Sequence, residues 1–219
     1  MVYIQKRFLM KIYDISWPIS QATTEYKNKG TIQLATVKGF DVDGVRDSII
    51  TLGTHTGTHV DAPSHFLRDG KSIDMISLDR VMGRAKVIDL MTVHESISGD
   101  DLARYEINEG DIILLRTANS ALGVNDPFTS HFIYLDASGA RYLAEKQIKA
   151  VAIDYLGIER GDPEHTTHTT LMKADVVIIE GVRLSHVPAG DYFMICLPLA
   201  IIGLEAAPAR AILMSESPD

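Results

Sequence analysis

Short runs of Val, Ile and Leu, bounded by Gly, Pro, Asp or Asn, recur along the whole chain. Runs of this length and composition predict β-strands rather than helices. Eight segments have the pattern: residues 32–37, 48–52, 86–90, 111–116, 150–154, 176–179, 192–197 and 210–214. Strands should therefore supply most of the framework of the fold.

Two segments are predicted to form helices. One begins near Ser98, a favourable N-cap followed by two aspartates, and runs to about Tyr105. The other begins near Asp136 or Ser138 and runs to about Gln147, with apolar residues at helical spacing. Strands outnumber helices and do not alternate regularly with them. This order favours an α/β domain with a mixed sheet and some α+β character.

Two long stretches, residues 117–131 and 155–173, are polar and lack periodicity. Long loops in compact domains are often functional, and the second one carries His165 and His168. At the start of the chain, residues 1–10 are predicted to be an N-terminal tail. Residues 11–219 are predicted to form a single domain.

Composition narrows the classes of function. The chain has 219 residues, 46% hydrophobic and 23% charged, with a formal net charge of −8. These values are ordinary for a globular protein, and without a basic stripe they argue against nucleic-acid binding. No apolar stretch approaches the length of a membrane span, which argues against a membrane role. The single cysteine, Cys196, lies in an apolar run; cysteine poverty fits a reducing compartment, so we expect a cytoplasmic protein.

The most informative segment is residues 54–66, which contains three of the eight histidines. Glycine, proline and β-branched residues make a helix unfavourable there. In an extended chain, His55, Gly57, His59 and Asp61 share one face, with neighbours on that face ~6–7 Å apart. His55 then reaches the other two only if the chain bends, and Gly57 is where a bend costs least.

Two imidazoles and one carboxylate suit a divalent transition metal. Three protein ligands also leave a position open for water, which is the arrangement of catalytic rather than structural sites. Isolated histidines are usually surface or core residues, but a cluster on one face is harder to explain in that way. We therefore interpret residues 55–61 as a metal site.

The sequence of residues 55–66, H-x-G-x-H-x-D-A-P-x-H-F, resembles the signature of the cyclase-family metal hydrolases. That family includes bacterial kynurenine formamidase (arylformamidase) and isatin hydrolase. Further pieces resemble the family in its order along the chain: residues 14–16, 180–184, 187–192, 197–199 and 208–213. The resemblance covers about residues 13–214.

The resemblance implies a swivelling β/β/α fold, a homodimer or homotetramer, and one or two zinc or manganese ions per subunit. By position it implies that His55, His59 and Asp61 bind the first metal, with Asp61 able to bridge to a second. The second metal of the family uses a His and a Glu twelve residues apart. His168 and Glu180 have this spacing, so His165 ranks lower.

The resemblance also implies that His65 is the catalytic acid/base. One departure concerns the substrate. The family's formamidases carry a Trp-Pro-Gly segment that contacts an aryl substrate, whereas residues 23–28 here offer Tyr26 instead. The only tryptophan, Trp17, does not match that motif and is expected to pack as an apolar anchor. The missing segment puts N-formylkynurenine in doubt as the substrate, though not hydrolysis itself.

The predicted activity is hydrolysis of a C–N bond in a small amide, formamide or cyclic amide by metal-activated water. Two alternatives stand beside it. A metal-dependent lyase or cyclase would use the same residues to remove a proton next to a carbonyl group. A non-catalytic metal-binding protein would have no need of His65.

Overall fold

A computed structural model describes residues 10–216, a mixture of twelve strands and four short helices. Met10 already lies in the first strand, and the rest of the predicted tail lies outside the described residues. The strands are β1 (Met10–Asp14), β2 (Gln33–Lys38), β3 (Asp47–Thr51), β4 (His59–Asp61), β5 (Met82–Asp89), β6 (Ser96–Ile97), β7 (Ile112–Arg116), β8 (Tyr134–Leu135), β9 (Ala150–Ile153), β10 (Val177–Glu180), β11 (Gly190–Pro198) and β12 (Ala206–Glu216). The helices are α1 (Phe40–Asp43), α2 (Gly99–Leu102), α3 (Ala137–Glu145) and α4 (Thr166–Lys173).

Eight strands form one sheet in the order β1-β12-β11-β5-β7-β9-β10-β4, and β4 also pairs with β12. Seven of the strands therefore close into a ring, with β1 attached outside it along β12. The pairs β5–β7, β7–β9 and β9–β10 are parallel, and the other pairs in the ring are antiparallel. The predicted mixed sheet is confirmed.

Alternate residues of the parallel strands pack into two different cores. On β9, Ala150 and Ala152 face the core inside the ring, whereas Val151 and Ile153 face the core that covers its outside. This period of two follows from the pleat of a strand. The helices α2, α3 and α4 supply Leu102, Leu143, Leu171 and other side chains to the outer core. A strand that is buried on both faces has a continuous run of apolar residues. The parallel strands could therefore be predicted from the sequence.

All eight predicted strands are present, with ends shifted by a few residues. Both predicted helices are also present. Ser98 caps α2 in a reciprocal capping box with Asp101, and the Asp136 side chain accepts from the backbone N–H groups of Ser138 and Gly139 at the start of α3. Helix α2 is shorter than predicted, because it ends at Leu102 rather than near Tyr105. Within residues 10–216 no helix has the length and apolarity needed to cross a bilayer.

The prediction of a loop over residues 155–173 is wrong for its second half, because helix α4 occupies Thr166–Lys173. Threonine and histidine are weak helix formers, so the sequence gives little local signal. Packing decides instead: Leu171 and Met172 are buried in the outer core, and His168 is buried on the same helix. Tertiary burial of one face commonly overrides a weak propensity.

A buried carboxylate, Asp154, holds together the carboxyl ends of β7 and β9. It accepts hydrogen bonds from the backbone N–H of Thr117 at 2.7 Å, from the Thr117 hydroxyl at 2.7 Å and from the Ser120 hydroxyl at 2.6 Å. Burial raises the pKa of Asp154 to about 6, although these hydrogen bonds oppose the rise. The folded protein therefore holds this proton more tightly than the unfolded chain.

We expect Asp154 to lower the free energy of unfolding as pH rises from about 4 to about 6. In that window the unfolded chain, with its ordinary pKa of 3.8, releases the proton while the folded state retains it. The variant Asp154→Asn should lack this slope, so its stability relative to wild type should improve between pH 4 and pH 7. Urea titrations of chelator-stripped protein measure the difference.

The exposed carboxylate of Asp100 provides the control, and Asp100→Asn should follow the wild-type pH dependence. If the stability difference between wild type and Asp154→Asn is the same at pH 4 and pH 7, the buried carboxyl does not titrate in this window.

Candidate metal centre

The histidine–aspartate segment enters the fold through a turn and the short strand β4. Residues 59–61 are extended, and Val60 points into the core inside the ring, so His59 and Asp61 point out of it together. The predicted extended conformation is wrong for His55, which lies in the preceding turn. Gly57, with φ of +61°, makes the predicted bend that brings His55 back towards Asp61.

A close contact between two glycines fixes this turn against the end of β10. A Cβ atom on Gly181 would lie 2.4 Å from the carbonyl oxygen of Gly57, so only glycine fits there. Thr58 ties the same two segments together, because its hydroxyl donates to the Gly181 carbonyl at 2.6 Å. The contact places Glu180, the last residue of β10, beside His59.

Two groups of side chains meet at Asp61. In the first, Nδ1 of His55 lies 3.0 Å and Nε2 of His59 lies 3.5 Å from Oδ1 of Asp61. In the second, Nε2 of His168 lies 3.7 Å from Oδ2 of Asp61 and 3.5 Å from Oε1 of Glu180. Within each group the possible ligand atoms all lie within 4.8 Å of one another. One carboxylate therefore connects both groups.

His168, rather than His165, approaches Asp61 and Glu180. His168 is buried in the first turns of α4, whereas His165 is the half-exposed N-cap of that helix with φ of +50°. The ring of His165 instead contacts Glu159 and Phe66. The spacing of twelve residues between His168 and Glu180 thus corresponds to a real proximity.

The tautomer of His59 is set by its backbone contact. Its Nδ1 lies 2.9 Å from the Gly57 carbonyl, which can only accept, so Nδ1 carries the proton and Nε2 faces the carboxylates. Burial opposes charge on this ring, but the Glu180 carboxylate, 3.3 Å from Nε2, and the charge of Asp61 raise the pKa of His59 to about 9. Glu180 shows the reverse: its burial is outweighed by His168 and His59, which lower its pKa. The centre is therefore a strongly anionic environment that favours a cation.

Four buried side-chain atoms of this centre have no hydrogen-bond partner: Nε2 of His59, both carboxylate oxygens of Asp61 and Nδ1 of His168. Buried polar groups without partners are rare in folded proteins, and they commonly mark a bound ion or a catalytic role. Imidazole nitrogen and carboxylate oxygen are ligands of divalent transition metals. The residues present therefore fit the metal that the sequence predicts.

His65 lies beside both groups on a short helical turn at Pro63–His65. Its ring centroid is 4.2 Å from that of His55 and 6.0 Å from that of His168. Burial, together with the two neighbouring histidines, lowers the pKa of His65. The turn is held from behind by Gly70, where a Cβ atom would collide with the Pro63 backbone at 2.4 Å.

A cavity of about 270 Å³ opens over the centre. His55, His65, His168 and Glu180 lie at its base, and Tyr26, Phe66 and Leu156 form apolar parts of its wall. The ring of Tyr26 packs edge-on against Phe128 at 4.9 Å. Trp17 is not among the lining residues; it is buried, and its Nε1 donates to the Val124 carbonyl at 3.1 Å. Trp17 is thus a packing residue, as expected.

Two acidic residues that contact the centre were not identified from the sequence. Glu159 is buried beside His168, and its Oε1 lies 3.1 Å from Nδ1 of that ring. Glu205 lies 3.4 Å from Nε2 of His55 and accepts from the Thr54 hydroxyl at 2.6 Å. Neither residue belongs to a recognisable motif. Only the fold brings them to histidines that are nine and 150 residues away.

Comparison with known proteins identifies the family of this chain. The family described as "Putative cyclase" matches residues 13–160. A kynurenine formamidase of Bacillus mycoides (strain KBAB4) is 36% identical over 165 residues, covering 75% of this chain and 78% of that protein. A kynurenine formamidase of Salinibacter ruber (strain DSM 13855 / M31) is 30% identical over 213 residues, covering 96% of this chain and all (100%) of that protein.

Solved structures show the same fold. A potential metal-dependent hydrolase with cyclase activity superposes with a TM-score of 0.86 at 44% identity, covering 95% of this chain and 100% of that chain. An isatin hydrolase bound to the product analogue thioisatinate superposes with a TM-score of 0.85 at 20% identity, covering 95% and 93% of the two chains.

These relatives confirm the predicted enzyme class, a metal-dependent amidohydrolase, and they do not favour the lyase alternative. The family match covers well over half of the chain, and relatives at 30% identity or more match most of it. The protein belongs to the putative cyclase family.

Proposed function

We propose that His55, His59 and Asp61 bind one divalent ion, and that Asp61, His168 and Glu180 bind a second. The observation that carries the proposal is the convergence of unpaired buried atoms, Nε2 of His59 and both oxygens of Asp61, at the point where the two groups meet. Without a cation, two buried carboxylates this close would be costly.

We propose zinc or manganese, in one or two copies per subunit. Mixed imidazole and carboxylate ligands accept either metal, so supply and geometry decide between them. A cytoplasmic location fits the single, buried Cys196, and subcellular fractionation would check it.

A divalent ion, when bound here, would lower the pKa of water and stabilise the negative charge that develops on the amide oxygen. Within the cavity, His65 is the side chain that accepts the proton from water and returns it to the leaving nitrogen. Its low pKa keeps the ring neutral and able to accept that proton. This role also distinguishes the protein from a passive metal-binding protein.

The proposed substrate is a small amide, formamide or cyclic amide with a planar ring. Tyr26, Phe66 and Leu156 offer it an apolar wall above the metal ligands. We propose that Tyr26 serves in place of the aromatic residue that contacts substrate in formamidases. Its loop is held in place by Glu25, which accepts from the Thr31 backbone at 2.6 Å, and by Asn28, which accepts from the Phe128 backbone at 2.9 Å. N-formylkynurenine belongs in the first substrate panel, because relatives at 30–36% identity are kynurenine formamidases.

Native protein should carry one or two zinc or manganese ions per chain, and His59→Ala should lose them. The variant removes the buried Nε2 atom, which has no hydrogen-bond partner and is a proposed ligand. Elemental analysis of purified protein measures the metal content. His94→Ala, at an exposed histidine outside the centre, should retain the wild-type content.

Wild-type protein without metal, even after incubation with zinc and manganese at neutral pH, would contradict the proposed function. In that case the family relationship would describe the fold alone.

We expect His65→Asn to lower kcat by about 10²–10⁴-fold with metal content unchanged, because general acid–base catalysis contributes roughly that factor. Steady-state kinetics on the best substrate of an amide, formamide and lactam panel, combined with elemental analysis, test this. Loss of metal from His65→Asn would instead make His65 a ligand.

Tyr26→Ala is the matched comparison, because Tyr26 lines the same cavity and belongs to neither group of proposed metal ligands. It should raise KM with kcat nearly unchanged, as expected for loss of substrate contact alone. A fall in kcat as large as that of His65→Asn would remove the distinction between the two roles.

We also propose that the protein is a homodimer or homotetramer. The hairpin of β2 and β3 exposes every residue of its strands, including Leu34, Ile49 and Ile50. An isolated two-stranded hairpin is marginally stable in water, so this one needs a covering surface. A second exposed apolar surface, on the outer face of β1, β5 and β11, offers Ile12, Met82, Phe193 and Leu197 to another copy.

The double variant Ile49→Asp/Ile50→Asp should dissociate the oligomer, because it puts charge on both faces of β3. Light scattering coupled to size-exclusion chromatography measures the mass of each species. Ser185→Asp adds a charge in an exposed turn elsewhere and should leave the mass unchanged. A wild-type protein that runs as a monomer of 24.1 kDa would contradict the proposal.

A further inference from the structure

Glu159 lies in the loop between β9 and α4 and is buried, with 7% of its surface exposed. Both of its carboxylate oxygens face α4. Oε2 accepts from the backbone N–H of His168 at 3.2 Å, and Oε1 lies 3.1 Å from Nδ1 of the same residue. Nδ1 of His168 is close to Oε1, but the angle is unfavourable for a hydrogen bond, and Nδ1 has no other hydrogen-bond partner. The carboxylate therefore has one contact that fixes it and one that is aimed at the ring.

The opposite nitrogen of that ring, Nε2, faces Asp61 and Glu180. A histidine binds a metal through one nitrogen only when the proton is on the other nitrogen, and an acceptor beside that second nitrogen fixes both the tautomer and the ring orientation. We propose that Glu159 is the positioning residue that holds His168 as a ligand, with its proton on Nδ1 and its Nε2 towards the metal.

This proposal rests on the proposed function, since it concerns one of its ligands.

The contact with the helix backbone explains why a carboxylate is required. The N–H of His168 is one of the first N–H groups of α4, which have no partner within the helix, and the N-cap His165 provides no side-chain bond to them. Glu159 thus offers His168 one acceptor oxygen for its backbone N–H and one for Nδ1, and the second oxygen also contacts the ring of His165. Glutamine has one acceptor, so its amide must face either the backbone N–H or Nδ1 with a donor. In the second case the proton is forced onto Nε2, which removes the ligand.

Glu159 also contacts His165, and both residues line the cavity. The ligand atoms of Glu159, His165 and His168 lie close enough together for these three residues to bind an ion themselves. The positioning role and this ligand role make opposite predictions for His165. If Glu159 acts through His168, removing the His165 ring changes no metal ligand.

The test is zinc binding by full-length protein, measured by competition with a chelator at fixed pH and combined with the thermal midpoint of the chelator-stripped protein. We expect Glu159→Gln to lower the zinc affinity of the site that includes His168 by about 10–100-fold, which is the usual effect of losing a hydrogen-bond partner of a metal ligand. The ion at His55 and His59 should keep its wild-type affinity. His168→Ala sets the upper limit of the effect, and Glu164→Gln, at an exposed residue of the same loop, should change nothing.

Four outcomes would overturn the proposal. Two concern the ions themselves: Glu159→Gln binds both zinc ions with wild-type affinity, or wild-type protein binds a single ion that His168→Ala does not affect. The other two indicate a different role: equally weaker binding of both ions with a lower midpoint of the stripped protein shows a purely structural role, and a lower zinc count in His165→Ala makes Glu159 a ligand. If wild-type protein binds no zinc at all, the proposed function itself fails, and that result is distinct from these four. The stripped-protein midpoint of Glu159→Gln keeps a folding defect separable from a loss of affinity.

Discussion

The burial of Asp61 in the strand that closes the ring is the constraint on which the rest of the site depends. The three residues of β4 pair with β10 on one side and with β12 on the other, so no neighbouring strand can move away without opening the ring. A carboxylate in that position is removed from water, which costs free energy unless cations or donors surround it. His55 and His59 approach it from the segment that contains Asp61 itself, and His168 approaches it from α4. The fold and the metal chemistry therefore share one strand.

The sequence indicated the parts of the fold that have a local signal. Strand β9, and β7 up to its last residue Arg116, are apolar because both of their faces are buried. Ser98 and Asp136 mark helix starts by their capping side chains. The closure of the ring through β4 has no such signal, because three residues are too few to form a pattern. Helix α4 was missed because its threonines and histidine disfavour a helix until tertiary packing buries one face.

The same distinction applies to the site. His55, His59 and Asp61 were identified because they lie within seven residues, and Gly57 indicated the bend between them. His168 and Glu180 came from a spacing known in the family. Glu159 and Glu205 could not be found, since acidic residues are frequent and nothing local separates a buried one from an exposed one. A carboxylate beside a proposed ligand can be identified only when the fold sets the distance between the two side chains.

The contact between Gly57 and Gly181 has a consequence for how this protein can diverge. The carbonyl that selects the tautomer of His59 is also the atom that excludes a side chain at position 181. Any larger residue at 181 would push that carbonyl away and release the imidazole, although it would touch no ligand itself. Substrate-facing loops such as that of Tyr26 are not limited in this way. New substrate preferences can therefore arise by replacing cavity walls, while the peptide units that support the proposed metal ligands keep the same two glycines.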